Sequence, residues 1–275
     1  MVVTGIGGMG IACARRLGVG RALVVADVDE AKLAAEAAAL SQDGFAVTPV
    51  PVDVSDRAAV GRLADAAARH GPLRTVVHTA GLSPAQATPE RLMNVDVLGT
   101  EYVLDAFLDL ATQGSVAVCI ASMAGYLASM APEVERELAS ADVDDVRELL
   151  DRTGDLGHGD AYAFAKRVNQ LRVEYYATAW GARGGRVVSI SPGIIATPMG
   201  RQEIAGAPEA LGATLALSPV PRIGIPEDIA NAVAWLASAE ASFISGCDLR
   251  VDGGVVAAVR GLTAGGNPLV SRERT

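Results

Sequence analysis

Short β-branched runs alternate with alanine-rich amphipathic stretches along nearly the whole chain. Strands covered on both faces read as continuous apolar runs, and helices show apolar positions three or four apart, so the alternation predicts a parallel sheet flanked by helices on both sides. Strands are expected near 1–4, 22–26, 46–52, 73–78, 115–121, 185–190 and 247–251. Helices are expected near 9–18, 29–41, 56–69, 89–111, 160–180 and 226–238, with Asp56 and Pro226 as start signals. The fold class is therefore α/β, a doubly wound seven-stranded parallel sheet forming one domain over 1–262. The segment 263–275, rich in Gly, Arg and Ser, reads as a tail that is loose or engaged with another subunit.

A helical block breaks the alternation between Ser122 and Tyr162. From Pro132 to Arg152, Val143, Val146, Leu149 and Leu150 share one stripe and acids fill the opposite face, so a helical insertion is expected over about 128–157. Residues 133–152 carry eight acids against three arginines, a net −5 out of −9 for the chain. The stripe needs a cover, from its own domain or from a neighbouring subunit, and the block reads equally as a subunit contact or as a substrate lid.

Composition narrows the partners. Half the residues are apolar and mean hydropathy is +0.30, yet apolar runs stop at about six residues, as in 116–121, too short to span a bilayer. No basic region precedes the apolar N-terminus, so no signal peptide is expected. Cys13, Cys119 and Cys247 lie far apart in apolar surroundings, which suits reduced, buried thiols in a cytoplasmic protein. The charge of −9 with no basic stripe excludes nucleic acid as an expected partner, and no metal site is assigned.

Chemistry enters at two places. Tyr162 and Lys166 stand four apart and share one face of any helix that carries them. A tyrosine hydroxyl titrates near ~10, but a fixed cation beside it stabilises the phenolate and brings it toward working pH as a base. Only two lysines, Lys32 and Lys166, occur against 21 arginines, so the bias toward arginine has spared a lysine here. A compact ammonium on a flexible stem reaches a sugar hydroxyl and a phenol together, which a planar guanidinium does less easily. A surface ion pair with no chemistry is the plain alternative for an isolated Tyr-x-x-x-Lys.

The second place is the first strand, which runs into Thr4-Gly5-Ile6-Gly7-Gly8-Met9-Gly10 and so contains Gly5-x-Gly7-x-x-Gly10 opening a helix. Glycines there permit a tight turn and let a pyrophosphate approach the helix N-terminus, where unpaired amides favour an anion. The second strand ends at Asp27, 17 residues after Gly10, where an acid can accept from adenosine ribose hydroxyls; capping the next helix is its other use. No cation lies in the glycine loop and Val28 follows Asp27, so a 2′-phosphate would meet a carboxylate with no obvious counter-ion. NAD(H) is expected over NADP(H).

Further motifs follow in order: Asp53-Val54, His78-Thr79-Ala80-Gly81, Ile120-Ala121-Ser122, Ser191-Pro192-Gly193, Thr197-Pro198, Arg222 to Ala230, and Val251-Asp252-Gly253-Gly254. With Tyr162 and Lys166 they resemble the short-chain dehydrogenase/reductase family over essentially the whole chain. That resemblance implies a Rossmann-type domain and an enzyme that moves hydride between NAD(H) and a secondary alcohol or ketone, most often as a homo-oligomer, dimer or tetramer. It implies Tyr162 as general acid/base, Lys166 lowering its pKa and holding the nicotinamide ribose, and Ser122 bonding the substrate oxygen. Cofactor contacts are implied for Gly5, Gly7, Met9 and Gly10 in the loop, Asp27, Asp53 and Val54 at the adenosine end, and Ala80 and Gly81 after the fourth strand. Pro192, Gly193 and Thr197, together with Tyr162 and Lys166, are implied around the nicotinamide.

Four departures stand out. The glycine loop is one residue shorter than Thr-Gly-x-x-x-Gly-x-Gly, so which glycine meets which phosphate is open. His78 replaces an asparagine and is read as structural. Asp96 stands where the family has a catalytic asparagine. The 39 residues between Ser122 and Tyr162 exceed the family's usual dozen or so, and with Ala179-Trp180-Gly181 they resemble the bacterial 3α-hydroxysteroid dehydrogenase/carbonyl reductase branch, which implies bulky alicyclic substrates. The rival readings are an NAD-dependent epimerase or dehydratase, which generally needs a larger C-terminal substrate domain than is expected here, and a non-catalytic NAD-binding sensor.

Overall fold

Val2, Val3, Val24, Val25, Val76 and Val77 come into parallel register at the centre of a single sheet. The computed structural model describes residues 1–85, 87–152, 157–206 and 208–263. Its strands are β1 (Val2–Thr4), β2 (Ala22–Asp27), β3 (Ala46–Pro51), β4 (Thr75–His78), β5 (Val116–Ile120), β6 (Arg186–Pro192) and β7 (Cys247–Val251), in the order β3-β2-β1-β4-β5-β6-β7. The order reverses at β1, between β2 and β4, and a crevice opens there beyond the carboxyl ends of the strands. All seven expected strands are present, within two residues of their expected limits.

The helices are α1 (Gly8–Leu17), α2 (Glu30–Gln42), α3 (Arg57–Ala68), α4 (Pro89–Leu92), α5 (Gly99–Leu108), α6 (Pro132–Ser140), α7 (Val143–Arg152), α8 (His158–Ala182), α9 (Pro198–Gly206), α10 (Pro208–Ala216), α11 (Pro226–Leu236) and α12 (Val255–Thr263). Side chains of α1, α2 and α11 pack with Val3, Val25, Val77, Val118 and Val188 on one face. Those of α3, α5 and α8 pack with Val2, Val24, Val76, Ala117 and Val187 on the other. Consecutive strand residues thus feed opposite layers, and the apolar runs are core on both sides. Asp29 and Asp56 cap α2 and α3 by accepting from Lys32 N and from Ala58 N and Ala59 N.

The structure corrects the sequence reading in four places. The expected helix 89–111 is not continuous: a π-helical stretch, Met93–Leu98, separates α4 from α5. Helices α9, α10 and α12 were not expected, because Gly200, Gly206, Pro208 and Gly212 blur the helical period in the first two. The helix expected to end near 180 runs on to Ala182, so Ala179-Trp180-Gly181 lies wholly inside α8, with Trp180 fully buried. Cys13 and Cys119 are buried, but Cys247 is exposed, because β7 is an edge strand. The tail from 264 onward and residues 153–156 of the insertion lie outside the described residues.

The insertion is covered by its own domain. Val146 and Leu150 of α7 and Leu138 of α6 join the core layer of α5 and α8, with Val143 and Leu149 packed at its margin. Polar ties add to this: Arg167 Nε donates to Glu135 at 2.7 Å, Tyr175 Oη to Asp142 at 2.6 Å, and Arg57 to Asp144 at 2.6 Å.

Candidate active site

Most of the residues singled out by sequence gather in the crevice at the carboxyl ends of β1 to β6. Gly5 holds a positive φ of 81°, and a Cβ there would stand 2.4 Å from Ala80 N, so the turns after β1 and β4 touch only because residue 5 is glycine. A Cβ on Gly10 would fall 2.0 Å from Gly5 O, so Gly10 serves close packing of α1 on the first turn. Gly8 opens α1 and faces Thr197, whose Cγ2 would lie 3.0 Å from a Cβ at that position. Gly8 was not among the expected contacts. Its missing side chain lets α1 pack on the loop that carries Thr197, whereas Gly7 caps the helix and lines the cleft, with Lys32 Nζ 4.0 Å from where its Cβ would stand. Met9, by contrast, packs against the apolar layer of α1.

One end of the cleft is lined by Gly5, Gly7, Asp27, Asp53, Val54, Ala80 and Gly81 together with Lys32 and Arg91. Asp27 accepts from Ile6 N at 2.8 Å and Asp29 N at 3.1 Å, which fixes its carboxylate at the mouth. Lys32 Nζ then donates to Asp27 Oδ2 at 2.9 Å. This overturns the expectation that Asp27 has no cation beside it: the first turn of α2 folds Lys32 back, a proximity invisible to a search restricted to the glycine loop and Val28. Asp53 is likewise paired, with Arg91 at 3.1 Å; that cation and its Ser55 hydrogen bonds outweigh burial and hold its carboxyl below the usual range.

Deeper in, three elements meet at Lys166. The ammonium lies 3.0 Å from Asp96 Oδ2, and both side chains are buried. Asp96 Oδ1 accepts from Leu82 N at 2.7 Å. Gly81 borders the pair, since a Cβ there would stand 3.2 Å from Lys166 Nζ and 3.3 Å from Asp96 Oδ1. The π-helical stretch aims Asp96 at Lys166, in keeping with the frequent placement of π-bulges at functional sites. Burial pushes the Asp96 carboxyl above its ordinary value, against the opposing pull of Lys166 and of the Leu82 amide. Lys166 Nζ lies 5.5 Å from the Tyr162 ring centroid, one helical turn away on α8.

Ser122 follows β5 and opens a short 3₁₀ turn, Met123–Tyr126, its Oγ accepting from Ala124 N at 3.2 Å. Gln170 of α8 donates to Ser122 O at 3.2 Å and to Ser191 Oγ at 2.9 Å. A Cβ on Gly125 would fall 2.8 Å from Arg167 N, so this turn seats directly on α8 beside Lys166. Thr197 Oγ1 accepts from Gly200 N at 2.9 Å at the start of α9. Pro192 ends β6, and Gly193 packs against Asp252, a Cβ there lying 2.8 Å from Asp252 Cα; this accounts for the Val251-Asp252-Gly253-Gly254 motif as backing for the β6 loop.

His78 is fully engaged. Thr100 Oγ1 donates to Asp96 O at 2.7 Å and so accepts from His78 Nε2–H at 3.0 Å, which leaves Nδ1 to accept from Thr4 Oγ1 at 2.7 Å. Burial, reinforced by the Lys166 charge, lowers the imidazole to about 3, so it is neutral at physiological pH. Its work is to tie β1 to the π-helical stretch that presents Asp96. Among the described residues no group of three or more His, Cys, Asp or Glu could hold a metal, and no helix is long and apolar enough to cross a membrane.

Comparison with known proteins agrees with this geometry. Residues 1–132 match the family model described as short chain dehydrogenase, and 152–256 the one described as enoyl-(acyl carrier protein) reductase. The chain is 38% identical over 261 residues to the short-chain dehydrogenase/reductase bsc3 of Alternaria brassicicola, covering 94% of this chain and 95% of the relative. It is 34% identical to 3beta-hydroxysteroid dehydrogenase 1 of Eggerthella lenta, covering 93% and 92%, and 34% identical to cis-4-hydroxycyclohexanecarboxylate dehydrogenase of Sinomonas cyclohexanicum, covering 93% and 96%. Hydroxysteroid dehydrogenases among its relatives bear out the branch resemblance. With its seven-stranded parallel sheet, and with matches to the short chain dehydrogenase model and to a short-chain dehydrogenase/reductase over nearly its whole length, the chain belongs to the short-chain dehydrogenase/reductase family of oxidoreductases acting on alcohols.

Proposed function

We propose that the protein interconverts a ring-borne secondary alcohol and its ketone, with NAD(H) as the preferred nucleotide. The carrying observation is Lys166, held 3.0 Å from Asp96 on one side and 5.5 Å from the Tyr162 ring on the other, and bordering Gly81, which lines the cleft that Asp27 and the glycine loop open. The cleft suits a dinucleotide: Gly5, Gly7 and Gly81 line it, and the carboxylate of Asp27 stands where ribose hydroxyls can donate. When bound, the nicotinamide supplies the hydride acceptor or donor. Gly5, Gly7 and the α1 N-terminus would hold its phosphates, Asp27 its adenosine ribose, and Lys166 its nicotinamide ribose. Tyr162 Oη takes the hydroxyl proton from the alcohol during oxidation and returns it during reduction. Ser122 Oγ hydrogen-bonds the substrate oxygen as its charge changes. The ring-alcohol class rests on the relatives named for a 3β-hydroxysteroid and a hydroxycyclohexanecarboxylate.

Buried thiols at Cys13 and Cys119 suit a cytoplasmic enzyme. The uncovered sheet edge at β7, with Trp235 and Phe243 exposed, suits a homo-oligomer. Incubation with NADH and a panel of cyclic ketones, followed by the loss of NADH absorbance, should reveal turnover of at least one ring ketone. Tight NADH binding without turnover of any ring ketone or ring alcohol would leave the substrate assignment wrong.

Asp96 gives this reading a pH signature. Its carboxylate, buried beside Lys166, offsets part of the ammonium's field at Tyr162, whereas an amide would not. Asp96→Asn should therefore move the alkaline pH profile of alcohol oxidation toward neutrality, by up to about one unit, equivalent to ~1.4 kcal/mol. Rates measured against pH at saturating NAD check this; coincident profiles or a shift to higher pH would show that the carboxylate does not act on Tyr162.

A further inference from the structure

The chain uses arginine for almost all its cations, with only Lys32 and Lys166 against 21 arginines. Lys32 lines the cleft, and Lys166 borders Gly81, which lines it too. Lys166 has a role beside Tyr162; Lys32, in the first turn of α2, has no role in the reaction as proposed. Its Nζ is 2.9 Å from Asp27 Oδ2 and 4.0 Å from where a Cβ on Gly7 would stand, at the edge of the glycine loop. Its side chain is 40% exposed while that of Asp27 is 11% exposed, so the cation is the outer, movable partner of the pair. Asp27 does not depend on it for position, because Ile6 N and Asp29 N hold both carboxylate oxygens.

We infer that Lys32 makes the adenosine end of the cleft a dual site, in which its ammonium leaves Asp27 to meet the 2′-phosphate of NADP(H) and returns to Asp27 when the ribose carries a free hydroxyl. The inference rests on the dinucleotide reading above and extends it to nucleotide choice. Charge at the cleft favours it. Two acids, Asp27 and Asp53, face two cations, Lys32 and Arg91, so this lining carries no net charge in a chain of net −9, and an arriving phosphate enters a balanced site. A lysine suits the exchange better than an arginine: its three donors rotate about a flexible stem, whereas a guanidinium would lock bidentate onto Asp27.

The test is direct binding, by titration of nucleotide fluorescence or by calorimetry, with NADH and NADPH as probes and the full-length wild type, Lys32→Met and Asp27→Asn as proteins. Expected for the wild type is NADH binding with NADPH weaker by no more than about 30-fold. Lys32→Met should weaken NADPH by at least about 10-fold, or ~1.4 kcal/mol, while NADH changes by less than about threefold. Asp27→Asn should weaken NADH and strengthen NADPH, which shows that the cleft survives substitution. NADPH affinity unaffected by Lys32→Met, or no NADPH binding where NADH binds well, overturns the dual site and leaves the NAD(H) reading standing. Failure of both nucleotides to bind the wild type takes down the dinucleotide reading and the dual site together.

Discussion

Tyr162→Phe should lower the rate of ring-alcohol oxidation by about 10²–10⁴-fold, the span expected for losing a positioned acid/base. NADH affinity should stay within about threefold of the wild type. Only one oxygen is removed. The ring over which Lys166 sits at 5.5 Å remains, and so does the half-buried position on α8. Lys166 is a less clean probe, because truncating it would leave the Asp96 carboxylate buried with no counter-charge and mix chemistry with stability. Steady-state rates with NAD and the ring alcohol found active for the wild type check the prediction, with thermal melting as control. A loss below about tenfold would mean that the proton leaves by another route and that Tyr162 is not the acid/base.

What sequence could show here depended on how local the cause was. The strands were legible because burial on both faces makes each a continuous apolar run, and β1, β4 and β5 are buried at every position. Tyr162 and Lys166 were legible because helical spacing alone puts them on one face. The Gly8 role was not, since its only cause is Thr197, nearly 190 residues away and brought to α1 by the loop after β6. Lys32 was missed for a different reason: five residues from Asp27 in sequence, it reaches back only because Asp29 starts α2 at that point. The π-helical stretch has no sequence signature of its own. Residues 89–111 carry an ordinary helical period, and Gly99, which ends the widened turn, meets a distant residue, a Cβ there standing 2.7 Å from Val54 Cγ2. Asp96 could thus be flagged as a departure, but not as a buried partner of Lys166.

Helix α5, which follows the π-helical stretch bearing Asp96, and helix α8, which bears Lys166, hold a second buried ion pair, and breaking it should be the most destabilising single change proposed. Arg172 Nε and Nη2 donate to Glu101 Oε1 and Oε2 at 2.8 and 3.0 Å, a fork-to-fork pair with both side chains wholly buried. Arg172 Nη1 donates to Leu138 O at 2.8 Å, tying in the insertion, and the guanidinium stacks 3.9 Å from the Tyr175 ring centroid. Glu101 also accepts from Tyr176 Oη at 3.3 Å. Burial pushes the Glu101 carboxyl up, and Arg172 is the main influence holding it down. Arg172→Met keeps most of the volume but strands Glu101 in the core, at a cost of about 3–5 kcal/mol, or roughly 6–20 °C in melting temperature for a domain of this size. Without the guanidinium Glu101 takes up a proton more readily, so the deficit should shrink as pH falls toward the ordinary carboxylate range. Arg172→Met with Glu101→Leu removes both charges and should recover much of the loss, since a buried pair replaced by apolar groups is often neutral. Melting curves of the single and double variants across pH test the argument: a single variant within about 2 °C of the wild type, or a double variant no better than the single, would show that α5 and α8 are registered by packing alone.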